Sequence, residues 1–347
     1  MYLPSVDIII PVWNRPVEAR QCIASIIDTT TDARLILIDT GSERETETFL
    51  EEVTESLDER ALLLSSQRNL GFVAALNQGL ARSEAPYAVI VRQSSVVTPG
   101  WLEQLLALAD DRPEAGLIVP RFDTDGVKKA PPVVGEADHG SFAAMLVRRS
   151  VFETIGGFDA DLDGGECCLR EYSRRAMKAG FLTCRASSFV RPGAEPQFGS
   201  LERRNEHLVR CRERVAAQYG VVRNYCLLMP SAATPEECDA LFRLLLQPAR
   251  RGDRLVVLVP RRLSRLVKQA GYALLHDNIR LQFLPMVGEV KAVRRTFQRL
   301  AEELPGIVAV TPAGAITAFG MAGVLTLAEF ERTMAADATE VESFETG

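Results

Sequence analysis

A chain of 347 residues is long enough for two domains, since single domains usually hold about 100–200 residues. Its formal charge of −6 argues against the basic face that phosphate backbones require, so we expect no nucleic-acid partner. No apolar run approaches the roughly 18 residues that span a bilayer, and no basic segment precedes an apolar one at the start. We therefore expect a cytoplasmic protein.

The N-terminal part alternates short apolar runs with segments of helical periodicity. Buried strands are predicted over residues 6–13, 34–39, 61–66 and 87–92, with helices over 15–28, 45–57 and 71–83. Strands that alternate with helices predict a parallel sheet that is covered on both faces. Because ligands bind such sheets at the carboxyl ends of the strands, the loops that follow each strand form the candidate site.

The loops at that edge share polar, aromatic and glycine residues that can meet a ligand: Pro11, Trp13, Asn14, Arg15, Asp39, Gly41, Ser42, Asn69, Gly71, Arg92 and Ser94. Any one of these residues has a structural alternative, because Asn, Asp, Gly and Ser also serve as caps and turn formers. Their occurrence in four successive loops at one edge favours a binding site.

A second alternation of strands and helices begins near Asn224. Strands are predicted over 225–230, 253–260, 279–285 and 306–312, with helical patterns between them. This pattern predicts a smaller α/β domain over residues 223–347, after a first domain over 1–222. The second domain has no glycine-rich phosphate loop and no nucleophile elbow. The sequence therefore indicates no catalytic role for the second domain, which we expect to bind a protein partner if the chain has one.

Six segments of the first domain follow one another in the order of a known family: IIIPVWNR, LILIDTGS, RNLGFVAALNQGLARS, VVTPGWLEQLLAL, AMLVRRSVFETIGGFD and RAMKAGF. With this set, residues 1–222 resemble the family 2 glycosyltransferases, which have the Rossmann-like α/β fold called GT-A. The resemblance implies a UDP- or GDP-sugar donor, a glycan or cell-surface acceptor and an inverting transfer. It also implies a place in polysaccharide assembly.

The resemblance gives nucleotide-binding roles to the loop residues. Asp39 falls where the family's acid accepts hydrogen bonds from the base, and residues 13–15 fall in the loop that lines the nucleotide. Asn69 and Gly71 fall near the ribose, where glycine permits a close approach of the backbone. Two interpretations of Trp13 stay open, since its ring can stack on a base or pack into the core.

The family's metal-binding carboxylate is missing. One acid after the fourth strand usually holds Mg²⁺ or Mn²⁺ against the diphosphate, but Ser94 stands at that position and Gln93 precedes it. We therefore expect no metal cofactor, with Mg²⁺ or Mn²⁺ bound only if a substitute carboxylate serves. Arg92 can supply positive charge instead. The Asp-x-Asp within residues 122–126 lies well past this position and is typical of a turn.

The family's catalytic base also lacks its usual carboxylate. Counting back from the segment KAGF at 178–181, Cys168 and Leu169 take the Glu-Asp places and Glu171 takes the last Asp place. With two residues inserted, Glu166 takes the Glu place instead. The carboxylates that remain nearby are Glu171, Glu166, Asp161 and Asp163. The first two are the best candidates for a base, and their structural alternative is capping of a helix start.

Two functions stay open on these residues. The first is a transferase with a non-standard or absent metal site. The second is a catalytically inactive homologue that acts as a binding or scaffolding module. Transfer requires a carboxylate at the acceptor face, whereas a scaffold does not. A nucleotidyltransferase on a related fold is disfavoured, because no basic glycine-rich loop follows the first strand.

Overall fold

The computed structural model describes residues 5–122, 134–162, 165–194, 201–321 and 323–343. The chain divides into two compact units, Met1–Gln218 and Tyr219–Gly347. This division lies close to the boundary after residue 222 that the sequence predicts, while independent folding of the two units stays a prediction. Within the described ranges, no helix combines the length and the apolar character that crossing a bilayer requires.

The first unit is built on one mixed sheet. Its strands are β1 (Val6–Val12), β2 (Ala33–Thr40), β3 (Ala61–Ser66), β4 (Tyr87–Val91), β5 (Val96–Val97), β6 (Ala115–Phe122), β7 (Gly135–Glu136), β8 (Ala144–Arg148) and β9 (Leu182–Arg191). Its helices are α1 (Pro16–Thr29), α2 (Arg44–Leu57), α3 (Phe72–Arg82), α4 (Trp101–Asp111), α5 (Arg149–Ile155), α6 (Glu166–Lys178) and α7 (Leu201–Tyr219). The strand order is β3-β2-β1-β4-β8-β6-β9-β5, and β7 pairs with β9.

The parallel arrangement predicted for the first four strands is confirmed, and the later strands of the first unit make the sheet mixed. Strands β3, β2, β1 and β4 run parallel, but β8 is antiparallel to both β4 and β6. Strands β5 and β7 are antiparallel to β9. Residues 92–95 alone separate β4 from β5, and β5 pairs with β9 at the far edge of the sheet and not with β4. The chain therefore leaves the parallel run directly after the fourth predicted strand.

The core explains why the central strands are continuously apolar. All seven residues of β1 are buried: Val6, Ile8, Ile10 and Val12 belong to one hydrophobic cluster, and Ile9 belongs to the cluster on the opposite face. The cluster of Ile8 also contains Ile23 of α1 and Trp101 of α4, whereas that of Ile9 contains Leu76 of α3 and Tyr172 of α6. Because helices cover both faces, the strands carry no polar face, as the parallel α/β pattern predicts.

One buried ion pair fixes the amino end of the first sheet. Asp7 is fully buried in β1 and accepts hydrogen bonds at 2.8 and 3.1 Å from Arg34 of β2. It also accepts from the Ser83 hydroxyl at 2.8 Å and from the Glu84 amide at 2.9 Å. Burial alone would raise the pKa of the Asp7 carboxyl, but the hydrogen bonds from Arg34 and Ser83 outweigh burial and lower the pKa below its usual value.

We expect Asp7→Asn to lower the free energy of unfolding by about 3–5 kcal/mol at pH 7, because it leaves Arg34 without its anion. The folded-state pKa of Asp7 is lowered, so its contribution is present above the ordinary Asp pKa of about 3.9. That contribution is lost as pH falls through the lower folded-state pKa. Urea unfolding of wild type and variant at pH 7 and at acid pH measures both effects.

The exposed Asp28 of α1 provides the matched control, since Asp28→Asn should change stability by less than about 0.5 kcal/mol. Equal stability of the Asp7→Asn variant and wild type at pH 7 would contradict the role given to the pair.

The second unit is a separate parallel sheet with helices. Its strands are β10 (Asn224–Leu228), β11 (Arg254–Val259), β12 (Ile279–Phe283), β13 (Val308–Thr311) and β14 (Leu325–Thr326). Its helices are α8 (Pro235–Arg250), α9 (Ser264–Gln269), α10 (Glu289–Glu303) and α11 (Leu327–Ser343). All neighbours in the order β12-β11-β10-β13-β14 are parallel, and apolar clusters lie on both faces. The predicted second α/β region is confirmed.

Candidate functional site

The loop between β1 and α1 has an uncommon backbone conformation. Asn14 and Arg15 have φ angles of 51° and 54°, in the left-handed region that non-glycine residues rarely adopt. The Asn14 amide donates to the Ser42 hydroxyl at 2.9 Å, and the Asn14 side-chain oxygen accepts from the Glu43 amide at 2.7 Å. Asn and Asp tolerate this region better than most residues, but Arg15 does not have that advantage. Contacts from neighbouring loops must therefore hold the conformation.

Gln93 supplies the main contacts to this loop. Its side-chain oxygen accepts from the Trp13 amide at 2.7 Å, and its side-chain nitrogen donates to the carbonyls of Trp13 and Asn14 at 3.3 and 3.1 Å. The side chain is nearly buried. The amide offers both a donor and an acceptor here, whereas an ionised carboxylate accepts and cannot donate. From the sequence, Gln93 is notable only because it is not an acid. Its role in the loop is not visible there, since its partners lie about 80 residues away in the chain.

The loop after β2 is joined to the first loop by hydrogen bonds. Asp39 is buried near the end of β2, and its Oδ1 accepts from the Ser42 amide at 3.0 Å. The Ser42 hydroxyl in turn accepts from Asn14. Gly41 has φ 74°, and a Cβ there would lie 2.9 Å from the carbonyl carbon of Arg68. The turn therefore requires glycine, and it brings Asp39, Ser42 and Asn14 into one hydrogen-bonded group.

The loop before α3 borders open space, whereas Pro11 lies inside a strand. The Gly71 amide donates to the Asn69 side chain at 2.8 Å, and Gly71 has φ 82° at the start of α3. No atom lies within 4 Å of a Cβ built on Gly71, so its backbone borders open space. Pro11 is buried within β1, paired with Ile38 of β2. The strand continues to Val12, so Pro11 lies in β1 and not in the loop that follows it, and its role in nucleotide binding stays a prediction.

The turn after β4 contains Arg92 and Ser94, and the two side chains have different surroundings. The Ser95 amide donates to the Arg92 carbonyl at 2.9 Å and closes the turn. The Arg92 guanidinium lies 5.8 Å from the centre of the Phe72 ring, which connects this turn with the third loop. The hydroxyls of Ser94 and Ser95 are buried and have no hydrogen-bond partner among the described residues. Gly193 lies against the Ser94 backbone so closely that an added Cβ would overlap its carbonyl oxygen.

The residues at the family's metal position do not fit Mg²⁺ or Mn²⁺. These cations prefer anionic oxygen, whereas Gln93 and Ser94 offer neutral oxygens. The Gln93 oxygen already accepts from Trp13, and Gly193 covers Ser94. Within the described ranges, no group of three or more His, Cys, Asp or Glu side chains could hold a metal ion. The Asp-x-Asp of residues 123–125 lies outside the described residues.

The two candidate bases have unequal surroundings. Glu171 is buried, and its two oxygens accept from Arg175 at 2.9 and 3.0 Å. Arg175 also donates to the Gly157 carbonyl at 2.8 Å, so this pair connects α6 with the segment after α5. A carboxylate whose two oxygens both accept hydrogen bonds from a guanidinium is poorly placed to take a proton from an acceptor. The role of Glu171 as a base stays a prediction.

Glu166 is exposed at the first turn of α6. Its Oε1 accepts from Arg170 at 2.8 Å, and Arg170 also pairs with the buried Asp138. Burial alone would raise the pKa of Glu166, but the hydrogen bond and charge of Arg170 outweigh it and lower the pKa. A lower pKa weakens a general base, while exposure leaves the oxygens of Glu166 accessible. The third nearby acid, Asp161, is exposed and pairs with Arg214 at 3.2 Å, and Asp163 lies outside the described residues.

Comparison with known proteins finds a family match within the first unit. Residues 7–156 match the family model described as glycosyl transferase family 2. The resemblance to family 2 glycosyltransferases is confirmed. An uncharacterized glycosyltransferase of Haemophilus influenzae is 32% identical over 104 residues, which cover 30% of this chain and 32% of that protein. Glycosyltransferase AglE of Haloferax volcanii is 21% identical over 216 residues, which cover 57% of this chain and 70% of AglE.

Solved structures agree on the fold. S. aureus TarS 1-349 superposes with a TM-score of 0.50 at 13% identity, covering 62% of this chain and 65% of that one. The mannosyltransferase PcManGT from Pyrobaculum calidifontis, in complex with GDP-Man and Mn²⁺, gives a TM-score of 0.51 at 16% identity. That match covers 98% of this chain and 87% of PcManGT. The GT-A fold that the resemblance implies is confirmed.

We expect Gln93→Glu to loosen the loop after β1. The change removes both donated hydrogen bonds and places a carboxylate against the carbonyls of Trp13 and Asn14, at a cost of roughly 1–3 kcal/mol in stability. Hydrogen–deuterium exchange of a peptide that covers residues 12–16 should become faster.

Gln104→Glu is the control for this change. Gln104 is exposed on α4 and accepts a hydrogen bond from Ser187 through its oxygen, which a carboxylate keeps. Unchanged exchange over residues 12–16 in the Gln93→Glu variant would show that the amide does not hold the loop.

Proposed function

We propose that this chain binds a nucleoside-diphosphate sugar at the carboxyl edge of the first sheet and transfers the sugar to a glycan or cell-surface acceptor. The hydrogen-bonded group of Gln93, Asn14, Ser42 and Asp39 carries this proposal. It joins loops from three parallel strands at the edge where α/β sheets bind ligands. The family match, AglE and the GDP-Man complex of PcManGT support a nucleotide-sugar donor.

The proposed nucleotide contact of the buried Asp39 follows from the family resemblance, and the contacts of the other loop residues follow from their exposure. The Asp39 carboxylate would accept hydrogen bonds from the base, and the half-exposed Trp13 ring would stack on it. Gly71 borders open space and would let the ribose approach the backbone. Arg15 is exposed and Arg92 is half-buried, so these guanidinium groups would meet the diphosphate.

The proposed transfer is a single inverting displacement. A carboxylate takes the proton of the acceptor hydroxyl, and the hydroxyl oxygen forms a bond to the anomeric carbon. The bond from that carbon to the diphosphate breaks on the opposite side. Glu166 is the better candidate for the base, because its side chain is exposed whereas Glu171 is bonded to Arg175 on both oxygens. The positive charges of Arg15 and Arg92 would stabilise the departing diphosphate.

A second function has support from the same residues. Glu171 is held by Arg175, and Ser94 replaces the family's metal ligand, so the chain lacks two parts of the usual catalytic apparatus. An inactive homologue would still bind the nucleotide through Asp39 and Asn14, and it would act as a binding or scaffolding module. Release of free UDP or GDP from a sugar donor, measured with wild type and Glu166→Gln, distinguishes the two functions. A scaffold gives no release from either protein.

We expect UDP or GDP to bind with nearly equal affinity in the presence of Mn²⁺ and of a chelator. Gln93 and Ser94 provide no anionic oxygen, so the protein adds little to the coordination of a cation by the diphosphate. Isothermal titration with each nucleotide, under both conditions, measures this. Binding that is tightened by Mn²⁺ more than about tenfold, or about 1.4 kcal/mol, would mean that a carboxylate of this chain holds the metal.

We expect Asp39→Ala to weaken nucleotide binding by about 1.5–3 kcal/mol, which is roughly 10- to 150-fold, because a charge-assisted hydrogen bond is lost. Calorimetry measures the affinity, and circular dichroism verifies the fold. Asp32→Ala, at an exposed residue before β2, should bind as wild type does. An Asp39→Ala variant with wild-type affinity would remove Asp39 from the site.

A further inference from the structure

An apolar tip projects from the second unit. We define it as Met286, Val287 and Val290, at the turn between β12 and α10. The side chains of Met286 and Val287 are 87% and 88% exposed, more than any other large hydrophobic side chain among the described residues. Val290 is 52% exposed in the first turn of α10. Isolated apolar residues on a surface are ordinary, but adjacent ones at the apex of a turn indicate an interaction site.

The chain around the tip is strongly basic. Residues 261–295 contain eight cations and two acids, Asp277 and Glu289, so their net charge is 8 − 2 = +6, whereas the whole chain carries −6. The cations are all exposed: Arg261, Arg262, Arg265, Lys268, Arg280, Lys291, Arg294 and Arg295. A charge of this sign, concentrated in one segment of an acidic protein, indicates an anionic partner.

Hydrogen bonds and packing bring several of these cations beside the tip. The Leu284 amide, just before the tip, donates to the carbonyl of Val259 at 2.8 Å, at the end of β11. Arg261 and Arg262 follow this strand end after a single proline. The Lys268 ammonium lies 5.0 Å from the centre of the Phe283 ring, at the end of β12. Cations thus lie at the base of the tip on the β11 side.

On the other side of the tip, Lys291 lies in the first turn of α10, next to Val290. Arg294 is directed elsewhere, since it donates to the backbone carbonyls of Thr317 and Ala318. The tip is therefore flanked by basic side chains from the chain segments before and after it.

We propose that this edge of the second unit docks on an anionic lipid bilayer. The methyl and thioether groups of the tip enter the boundary between headgroups and acyl chains, and Arg261, Arg262, Lys268 and Lys291 bind the phosphates of the headgroups. Peripheral proteins combine the same two contributions, burial of apolar side chains and attraction to anionic lipid. Long Lys and Arg side chains reach the headgroup layer while their methylenes stay near apolar groups.

The composition of the tip favours a bilayer over other anionic partners. A single-stranded nucleic acid would bind the cations, but proteins that bind single strands stack aromatic rings on the bases, and the tip has no aromatic residue. A protein interface concentrates its energy in aromatic and arginine side chains seated in pockets. Met286 and Val287 are instead almost fully surrounded by solvent.

Flotation of the full chain with vesicles tests the proposal. The vesicles contain either phosphatidylcholine alone or phosphatidylcholine with 30% phosphatidylglycerol as the probe. We expect binding to the anionic vesicles, weak binding to the neutral ones, and loss of binding at high salt. Met286→Asp with Val287→Asp should weaken binding at least tenfold. Each cation removed, by Arg261→Gln or Arg262→Gln, should weaken it about fivefold, which is the effect of about 1 kcal/mol per charge.

Two control variants carry matched changes away from the tip. Val221→Asp alters a side chain that is 76% exposed before β10, and Arg254→Gln removes an exposed cation from the opposite end of β11. Both should float as wild type does. Equal loss of binding in the controls and in the tip variants would overturn the proposal, as would wild-type binding by the tip variants.

Fluorescence of a Met286→Trp variant reports insertion directly. With anionic vesicles its emission should shift to shorter wavelength, and lipids brominated on the acyl chain should quench it, as they do for a residue in the acyl boundary. Emission that is unchanged by vesicles would overturn the proposal. So would anisotropy titrations in which a labelled oligonucleotide binds as tightly as the anionic vesicles and the tip variants bind it equally well.

Discussion

The hydrogen bonds of the Gln93 side chain determine the shape of the candidate site. Through them the end of β4 holds the loop after β1, in which Asn14 and Arg15 have left-handed backbone angles. With the loop in this conformation, the Asn14 amide reaches Ser42, and Ser42 reaches Asp39. An amide can donate and accept at once, while an acid at neutral pH can only accept. The residue that holds the loop is therefore one that cannot supply an anionic metal ligand.

The two ends of the first sheet have different chemistry, and the fold explains why. At the amino end, Asp7 is fully buried. Its carboxylate accepts hydrogen bonds from Arg34 and from Ser83 in the turn before β4, and these bonds stabilise the fold. At the carboxyl end, loops rather than helices follow the strands, so polar side chains and left-handed turns gather where a ligand can reach them. The buried hydroxyls of Ser94 and Ser95, which have no partner among the described residues, lie in this loop region.

Much of this architecture could be predicted from the sequence. The continuous apolar runs of β1, β2 and β4 reflect burial on both faces, and the Gly41 and Gly71 turns follow from the need for positive φ. The antiparallel direction of β8 could not be predicted, because strand direction depends on pairing between distant segments and leaves no periodic signal. Local patterns also could not show the bond from Gln93 to Trp13, 80 residues away, whereas the i, i+4 spacing of Glu171 and Arg175 was an available signal for their contact. The available signal for Gln93 was its place two residues after a buried strand, where an amide side chain can bond to a neighbouring loop.

Diffraction from crystals soaked with GDP or UDP and Mn²⁺, recorded at a wavelength where manganese scatters anomalously, would locate both the nucleotide and the metal. We expect nucleotide density against Asp39 and Trp13, a Gln93 amide still bonded to the first loop, and no anomalous peak within coordinating distance of Ser94. A manganese peak coordinated by a side chain of this protein, or a nucleotide bound away from the loops after β1 and β2, would contradict a metal-free nucleotide site at this edge of the sheet.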